Sequence, residues 1–243
     1  MDYSVSSISS IPIYVISFNN EERKTRMIKR FNKLEFNDIN FIKEVYKNDE
    51  RLTSLSNMEK YDKIDHRTWS IMLQHMDSIK DFYYNKESDL CILCEDDITV
   101  SKDLKEELKD IIPIFYKLNL DIIMLGYLLP FKIDSYNTHF KELYSCDYYK
   151  YYTYPNDIWG SQMYMISKKY AKYLIDTFDI KYAYDNIETN PYSSDWIITK
   201  NGNRALLYPM IAVEEGVNLS DDESQISYHK LCYTVNFIPD KFI

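Results

Sequence analysis

The sequence predicts an α/β fold with a mostly parallel central sheet flanked by helices. Apolar runs of strand length recur along the chain, stretches of helical spacing separate them, and the first such unit reads strand, helix, strand. At 243 residues, 45% of them hydrophobic, the chain is long enough to bury a large core, and one domain spanning residues 1–243 is expected.

The first strand is expected in the apolar run Ile11 to Phe18, with Asn19 and Asn20 beginning the turn after it. Met27, Ile28, Phe31 and Leu34 recur at helical spacing among charged residues, which predicts an amphipathic helix from Glu21 to Leu34. A second strand is expected from Ile39 to Val45. Lys47 to Asp65 is polar and aperiodic, hence a loop; Trp69, Met72, Leu73, Met76, Ile79 and Phe82 then form one stripe of a long helix. A strand at Leu90 to Cys94, a helix from Ser101 to Tyr116 with Ser101 as N-cap, and a strand at Asp121 to Leu125 continue the alternation. Leu128 to Asp157 is rich in Tyr and turn formers and predicts an irregular loop or short hairpin, the kind of segment that carries substrate contacts. Met163 to Ile166 returns as a strand, followed by helices at Lys168 to Phe178 and Asp195 to Lys200 and a late strand at Ala205 to Tyr208. Beyond Val213 the chain is polar and shows no clear period.

Composition narrows the function classes. A formal charge of -9 repels phosphate-rich polymers and anionic membranes, so no nucleic-acid partner is expected. No run approaches the ~20 apolar residues of a membrane helix, and Met1 to Ser10 holds no basic residue to open a secretory signal, so a soluble, cytoplasmic protein is expected. Cys91 and Cys94 have the spacing of a redox or zinc pair. In a strand, however, a separation of three puts them on opposite faces, which predicts two buried, reduced thiols.

The residues with the most chemistry are Glu95, Asp96 and Asp97, directly after an apolar strand. The C-terminal ends of strands are where open α/β sheets bind ligands. In extended backbone Glu95 and Asp97 share a side, and two carboxylates that close favour a hard cation between them, Mn²⁺ or Mg²⁺. A solvated acidic turn is the bland alternative. A phosphate-accepting receiver domain also ends a strand in acids, and Asp121 to Leu125 resembles its next strand. Gly126 stands where its phosphoacceptor Asp belongs, and the spacing from Asp97 leaves space for a single helix, so that reading fails.

Several blocks, in order, resemble glycosyltransferase family 25, which includes lipooligosaccharide sugar transferases and collagen galactosyltransferases. Pro12 to Phe18 with Arg23 is similar to its opening strand and basic turn, and Met72-Leu73-Gln74-His75 to its Ser-His helix. Leu93 to Asp97 resembles its Leu-Glu-Asp-Asp motif, Asp121 to Gly126 its next strand, Gly160 to Ala171 its Gly-Thr-x-Ala-Tyr block, and Ser194-Asp195 its Pro-x-Asp element. The chain departs from the family at Ser17-Phe18, which replace Asn-Leu, and at Ser70-Ile71, which replace Gly-Cys.

The resemblance implies a GT-A-type nucleotide-sugar-binding fold and an inverting, metal-dependent transfer of a galactose- or glucose-like hexose from a UDP-sugar to a glycan or protein hydroxyl. It implies Asp97 and then Glu95 as ligands of Mn²⁺ (or Mg²⁺), with His229 as a late ligand, and Asp195 as the base that deprotonates the acceptor. Ser17, Asn19, Arg23, Asp96, Gly160, Gln162 and Trp196 are the expected donor and substrate contacts; Lys24 stands beside Arg23 as a further cation. His75 is expected as a satisfied histidine on the inner face of its helix. A non-catalytic nucleotide- or glycan-binding relative, and a metal-dependent nucleotidyltransferase or phosphoesterase, are the rival functions for the same acids.

Overall fold

The computed structural model describes residues 8–133, 138–215 and 222–243. The reading of Met1 to Ser10 therefore falls largely outside the described residues, as does part of the loop after Leu128.

Among the described residues, eight strands form one sheet. In chain order the first elements are β1 (Ile13–Ile16), α1 (Glu21–Lys33), β2 (Ile39–Asn40), α2 (Glu50–Thr53), α3 (His66–Asn85), β3 (Leu90–Glu95), β4 (Ile98–Val100) and α4 (Leu104–Lys117). The chain continues through β5 (Ile122–Leu128), β6 (Glu142–Ser145), β7 (Lys150–Tyr152), β8 (Trp159–Ser167), α5 (Lys168–Thr177), α6 (Ile180–Asp185), β9 (Arg204–Tyr208), β10 (Ala212–Glu214) and α7 (Glu223–Asn236). The order across the large sheet is β2-β1-β3-β8-β5-β9-β7-β6, and β10 pairs with β4 in a separate two-stranded ribbon.

The expected α/β architecture is present, with one correction: the sheet is mixed rather than mostly parallel. β2, β1 and β3 pair in parallel, as do β5 and β9, whereas β8 runs antiparallel between β3 and β5. The β6–β7 hairpin adds an antiparallel edge against β9. The physical reason lies in the connections. A helix crossover returns the chain parallel, but β8 is reached from β5 through the Tyr-rich excursion that builds the hairpin, with no helix in the described part of that path.

Helices cover both faces. Ile13, Val15, Ile92 and Cys94 pack under Met27 and Phe31 of α1 and Leu104, Leu108, Ile111 and Phe115 of α4. Tyr14, Cys91 and Leu93 point the other way, to Met72, Met76, Ile79 and Phe82 of α3 and Tyr170 and Leu174 of α5. Cys91 and Cys94 thus lie on opposite faces as buried free thiols, and burial pushes both thiols well above their ordinary pKa. Burying each large aliphatic or aromatic side chain contributes about 1.5–3 kcal/mol, so these two layers hold the strand ends rigidly.

Several boundaries differ from expectation. β2 is two residues long because only Ile39 and Asn40 pair with β1; Phe41 and Ile42 after them pack against the core without joining the sheet. Ser101 is not the N-cap of α4. It is buried in an isolated bridge to Phe242, its Oγ accepts from the N–H of Asp103, and the helix begins at Leu104. The segment at Asp195 is a π-helical turn, Ser194–Ile198. α7, its start capped by Asp222, occupies the stretch beyond Val213. No helix among the described residues is long and apolar enough to cross a membrane.

Candidate functional site

Strand register assembles the site at one end of the sheet. Ile16 of β1 pairs with Glu95 of β3, so the next residues, Ser17 and Asp96, leave the sheet side by side. The Ser17 hydroxyl donates to Asp96 Oδ2 at 2.6 Å, and Ser17's carbonyl accepts from Gln74 Nε2 of α3 at 2.9 Å. On the other side β8 runs antiparallel with Met163 opposite Cys94, which brings Ser161 to Glu95, where its Oγ donates at 3.2 Å.

Glu95 to Asp97 is not one extended run. Glu95 ends β3, Asp96 and Asp97 form a two-residue turn, and Ile98 starts β4. The turn lets Asp96 and Asp97 face the same cation. Arg23, in the first turn of α1, donates from Nη1 to Asp96 Oδ1 at 3.0 Å and to Asp97 Oδ2 at 3.2 Å. Asn20 fixes that turn by accepting from the N–H of Arg23, and Asn19 sits before it with φ 48°, its own N–H donating to Glu44. Asn19 is therefore a turn residue, and Lys24 is committed to Glu21 and Glu44.

The ribbon supplies what the sequence reading missed. β10 pairs with β4 so that Glu214 lies opposite Ile98, and Glu215 donates its N–H to the carbonyl of Asp97 at 2.7 Å. Glu214 accepts from His229 Nδ1 of α7 at 2.7 Å, and Arg26 and Arg30 hold Glu215. Nothing at Val213-Glu214-Glu215 in the sequence marks a functional strand. Only its pairing with β4 brings it beside Asp97.

The carboxylates crowd. Burial, then the charges of Asp97, Asp195 and Glu214, push Glu95 well above the ordinary carboxyl range. Asp97 is pushed up to about 6 by burial and by Glu214, against the opposing pull of Arg23. Its Oδ1 is buried with no hydrogen-bond partner among the described residues. His229 is raised by its bond to Glu214, with Asp97 and Asp195 adding to the effect. Glu95, Asp97, Glu214, Asp195 and His229 thus share one electrostatic field, and His229 is tied to it by its hydrogen bond to Glu214.

Asp195 enters through β8. Its Oδ1 accepts from the N–H of Gly160 at 2.9 Å, and burial raises its pKa. Gly160 has φ +105°, and a Cβ there would stand 1.9 Å from Gln162 Oε1, so only glycine lets that amide lie against the backbone. Gln162 Oε1 is buried without a partner. Trp196 follows Asp195 and tilts against Trp159, ring centroids 5.9 Å apart. Lys200, near Asp195, falls to about 8 through burial and the charge of Arg204. A second aromatic pair, Phe18 and Tyr46, stands exposed beside Asn19 with centroids 5.0 Å apart.

His75 is a core residue, as expected, though only half satisfied. Its Nδ1 meets the Tyr164 hydroxyl at 2.8 Å, Nε2 is buried and unpartnered, and burial pushes its pKa down to about 3.

Among the described residues no three His, Cys, Asp or Glu side chains stand together at metal-ligating geometry. Arg23 holds the outer oxygens of Asp96 and Asp97 instead. The donor set still has the chemistry of a hard divalent cation's ligands: oxygens and an imidazole, with Asp97 Oδ1 buried and without a partner among the described residues.

No family model and no curated protein matches this chain. Among solved structures, HddC from Yersinia pseudotuberculosis aligns with 91% of this chain and 77% of its own, at 14% identity and a TM-score of 0.37, below the level that would establish a shared fold.

Proposed function

We propose that this protein is a metal-dependent, inverting glycosyltransferase of the GT-A kind, related to glycosyltransferase family 25, which moves a hexose from a UDP-sugar to a hydroxyl acceptor. The observation that carries the reading is the strand pairing at the C-terminal end of β3 that brings Glu214, and through its hydrogen bond His229, beside Asp97. Asp97, Glu214 and His229 would hold Mn²⁺ or Mg²⁺ once their side chains move together, since they do not stand at ligating geometry without the ion. Bound there, the cation would neutralise charge that grows on the departing diphosphate.

The protein's own groups supply the rest. Arg23 stands between Asp96 and Asp97, and any shift of the acids toward a cation frees its guanidinium for a phosphate oxygen. Phe18 and Tyr46 offer exposed ring faces to a nucleobase. Asp195 takes the proton from the acceptor hydroxyl as that oxygen attacks the sugar. Burial raises its pKa toward the range where a carboxylate is an effective base, while the Gly160 N–H keeps it oriented.

The test is hydrolysis and transfer assayed with UDP-galactose and UDP-glucose, with and without Mn²⁺. UDP should be released only with the metal, and Asp97→Ala and Asp195→Asn should each lower the rate at least about 100-fold. Release of pyrophosphate or inorganic phosphate would instead favour a nucleotidyltransferase or phosphoesterase. Activity unaffected by Asp97→Ala and by chelator would overturn the metal role.

A further inference from the structure

We propose that Trp159 and Trp196 form the acceptor platform, and that the acceptor is a carbohydrate ring rather than a polypeptide hydroxyl; this rests on the glycosyltransferase reading and narrows its substrate. Of the three tryptophans in the chain, Trp69 is buried edge-on against Tyr192. Trp159 is 44% exposed and tilts over partly exposed Trp196 at an interplanar angle of 41°.

Their placement is tied to the candidate base. Trp159 precedes Gly160, Trp196 follows Asp195, and Gly160 and Asp195 are joined by the 2.9 Å hydrogen bond, so a single backbone-to-carboxylate link ties the segments that carry both rings to the candidate base. Gly160 makes the approach possible. Besides its φ of +105°, a Cβ there would come within 2.8 Å of the Leu128 N.

A pyranose has the complementary chemistry, with C–H groups on one face and hydroxyls around the rim. An indole meets the face and a carboxylate meets a rim hydroxyl, so stacking on the platform delivers a nucleophilic oxygen to Asp195. A Ser, Thr or hydroxylysine side chain offers no flat apolar face, and a pair of indoles, one exposed and one partly exposed, would be wasted on it.

Saturation-transfer NMR of the whole protein with methyl β-galactoside, methyl β-glucoside and lactose, against Ser-, Thr- and hydroxylysine-containing peptides, tests the assignment. At least one saccharide should bind with a Kd on the order of millimolar, and Trp159→Ala should weaken it about tenfold while Trp159→Phe retains most of it. Trp159 is exposed, so the variants should fold, with an unchanged Tm as the control. Binding by peptides alone, no saccharide binding up to about 50 mM, or equal affinity in Trp159→Ala would overturn the proposal. A parallel thermal shift with UDP and Mn²⁺ separates the two readings. Trp159-dependent saccharide binding without a UDP response would sink the donor reading and leave the subsite standing. The reverse result would sink the subsite alone.

Discussion

Asp97 carries the most information per atom in this protein. Its carboxyl is mostly buried, one oxygen is shared with Arg23, the other has no partner among the described residues, and burial, then the charge of Glu214, pushes its pKa up to about 6. A carboxyl whose native pKa lies above its unfolded value of 3.8 binds more protons when folded, so its contribution to stability falls as pH rises between about 4 and 6 and stays low above that. Asp97→Asn removes the charge and keeps the shape. In metal-free buffer the variant should match the natural protein below pH 4 and gain about 3 kcal/mol by pH 7, which is roughly 6–12 °C in Tm for a chain of this size. A melting series across pH reads this directly, and a difference that does not change with pH would refute it. Added Mn²⁺ should reverse the ranking at pH 7, because it stabilises only the form that binds it. Residues such as Asp97 and Asp195 were legible in the sequence because an acidic run after an apolar strand, and a short block resembling a known family, are local signals. Glu214 was not, since its meaning comes from a partner strand more than a hundred positions away.

At the scale of elements, the ribbon of β4 and β10 decides whether the site exists. β10 reaches the acids by lying directly over β5. A Cβ added to Gly126 would stand 2.8 Å from the Ala212 carbonyl oxygen and 2.9 Å from its Cβ. In the sequence this glycine excludes a phosphoacceptor and closes a block resembling a family strand; in the fold it is where one backbone lets another approach. Gly126→Ala should therefore push β10 outward, costing about 1–3 kcal/mol by overpacking and loosening the Glu214–His229 pair. Tm should drop by several degrees, and Mn²⁺ should stabilise the variant less than the natural protein. Folding of Gly126→Ala with full stability and an undiminished Mn²⁺ response would show that β10 has slack. The same long-range character explains the misread boundaries. Ser101 has the side chain of an N-cap, but a bridge to Phe242, far off in sequence, claims it for a strand-like position and the helix starts three residues later. β8 read as a short strand from Met163 because the polar residues Gly160, Ser161 and Gln162 break its apolar pattern. They are polar because they line the site, and the strand runs through them from Trp159.

Over the whole molecule the α/β alternation was readable because each element's burial imprints a period on its own residues, as α1 and α3 do. Sheet direction left no such mark. β8 is apolar on both faces like its parallel neighbours, and only the chain's path through the hairpin makes it antiparallel. The two-faced burial of that sheet gives a prediction that reports on the entire fold. Cys91 lies under α3 and α5, Cys94 under α1 and α4, and Cys232 is buried on α7, whereas Cys146 is exposed at the end of β6. A thiol deep in a sheet exchanges with reagent only when the layer above it opens, and layers packed on one sheet open together. In the native protein a disulfide reagent should therefore titrate one thiol quickly, that of Cys146, while Cys91 and Cys94 react together at the rate of global unfolding. Cys146→Ser should abolish the fast phase, and denaturant should make the remaining three thiols react at once. If Cys94 reacts well before Cys91, α1 and α4 open independently of the opposite layer. Arg23 and the acid turn would then sit on a face that moves by itself, and donor binding should protect Cys94 in proportion to ligand occupancy.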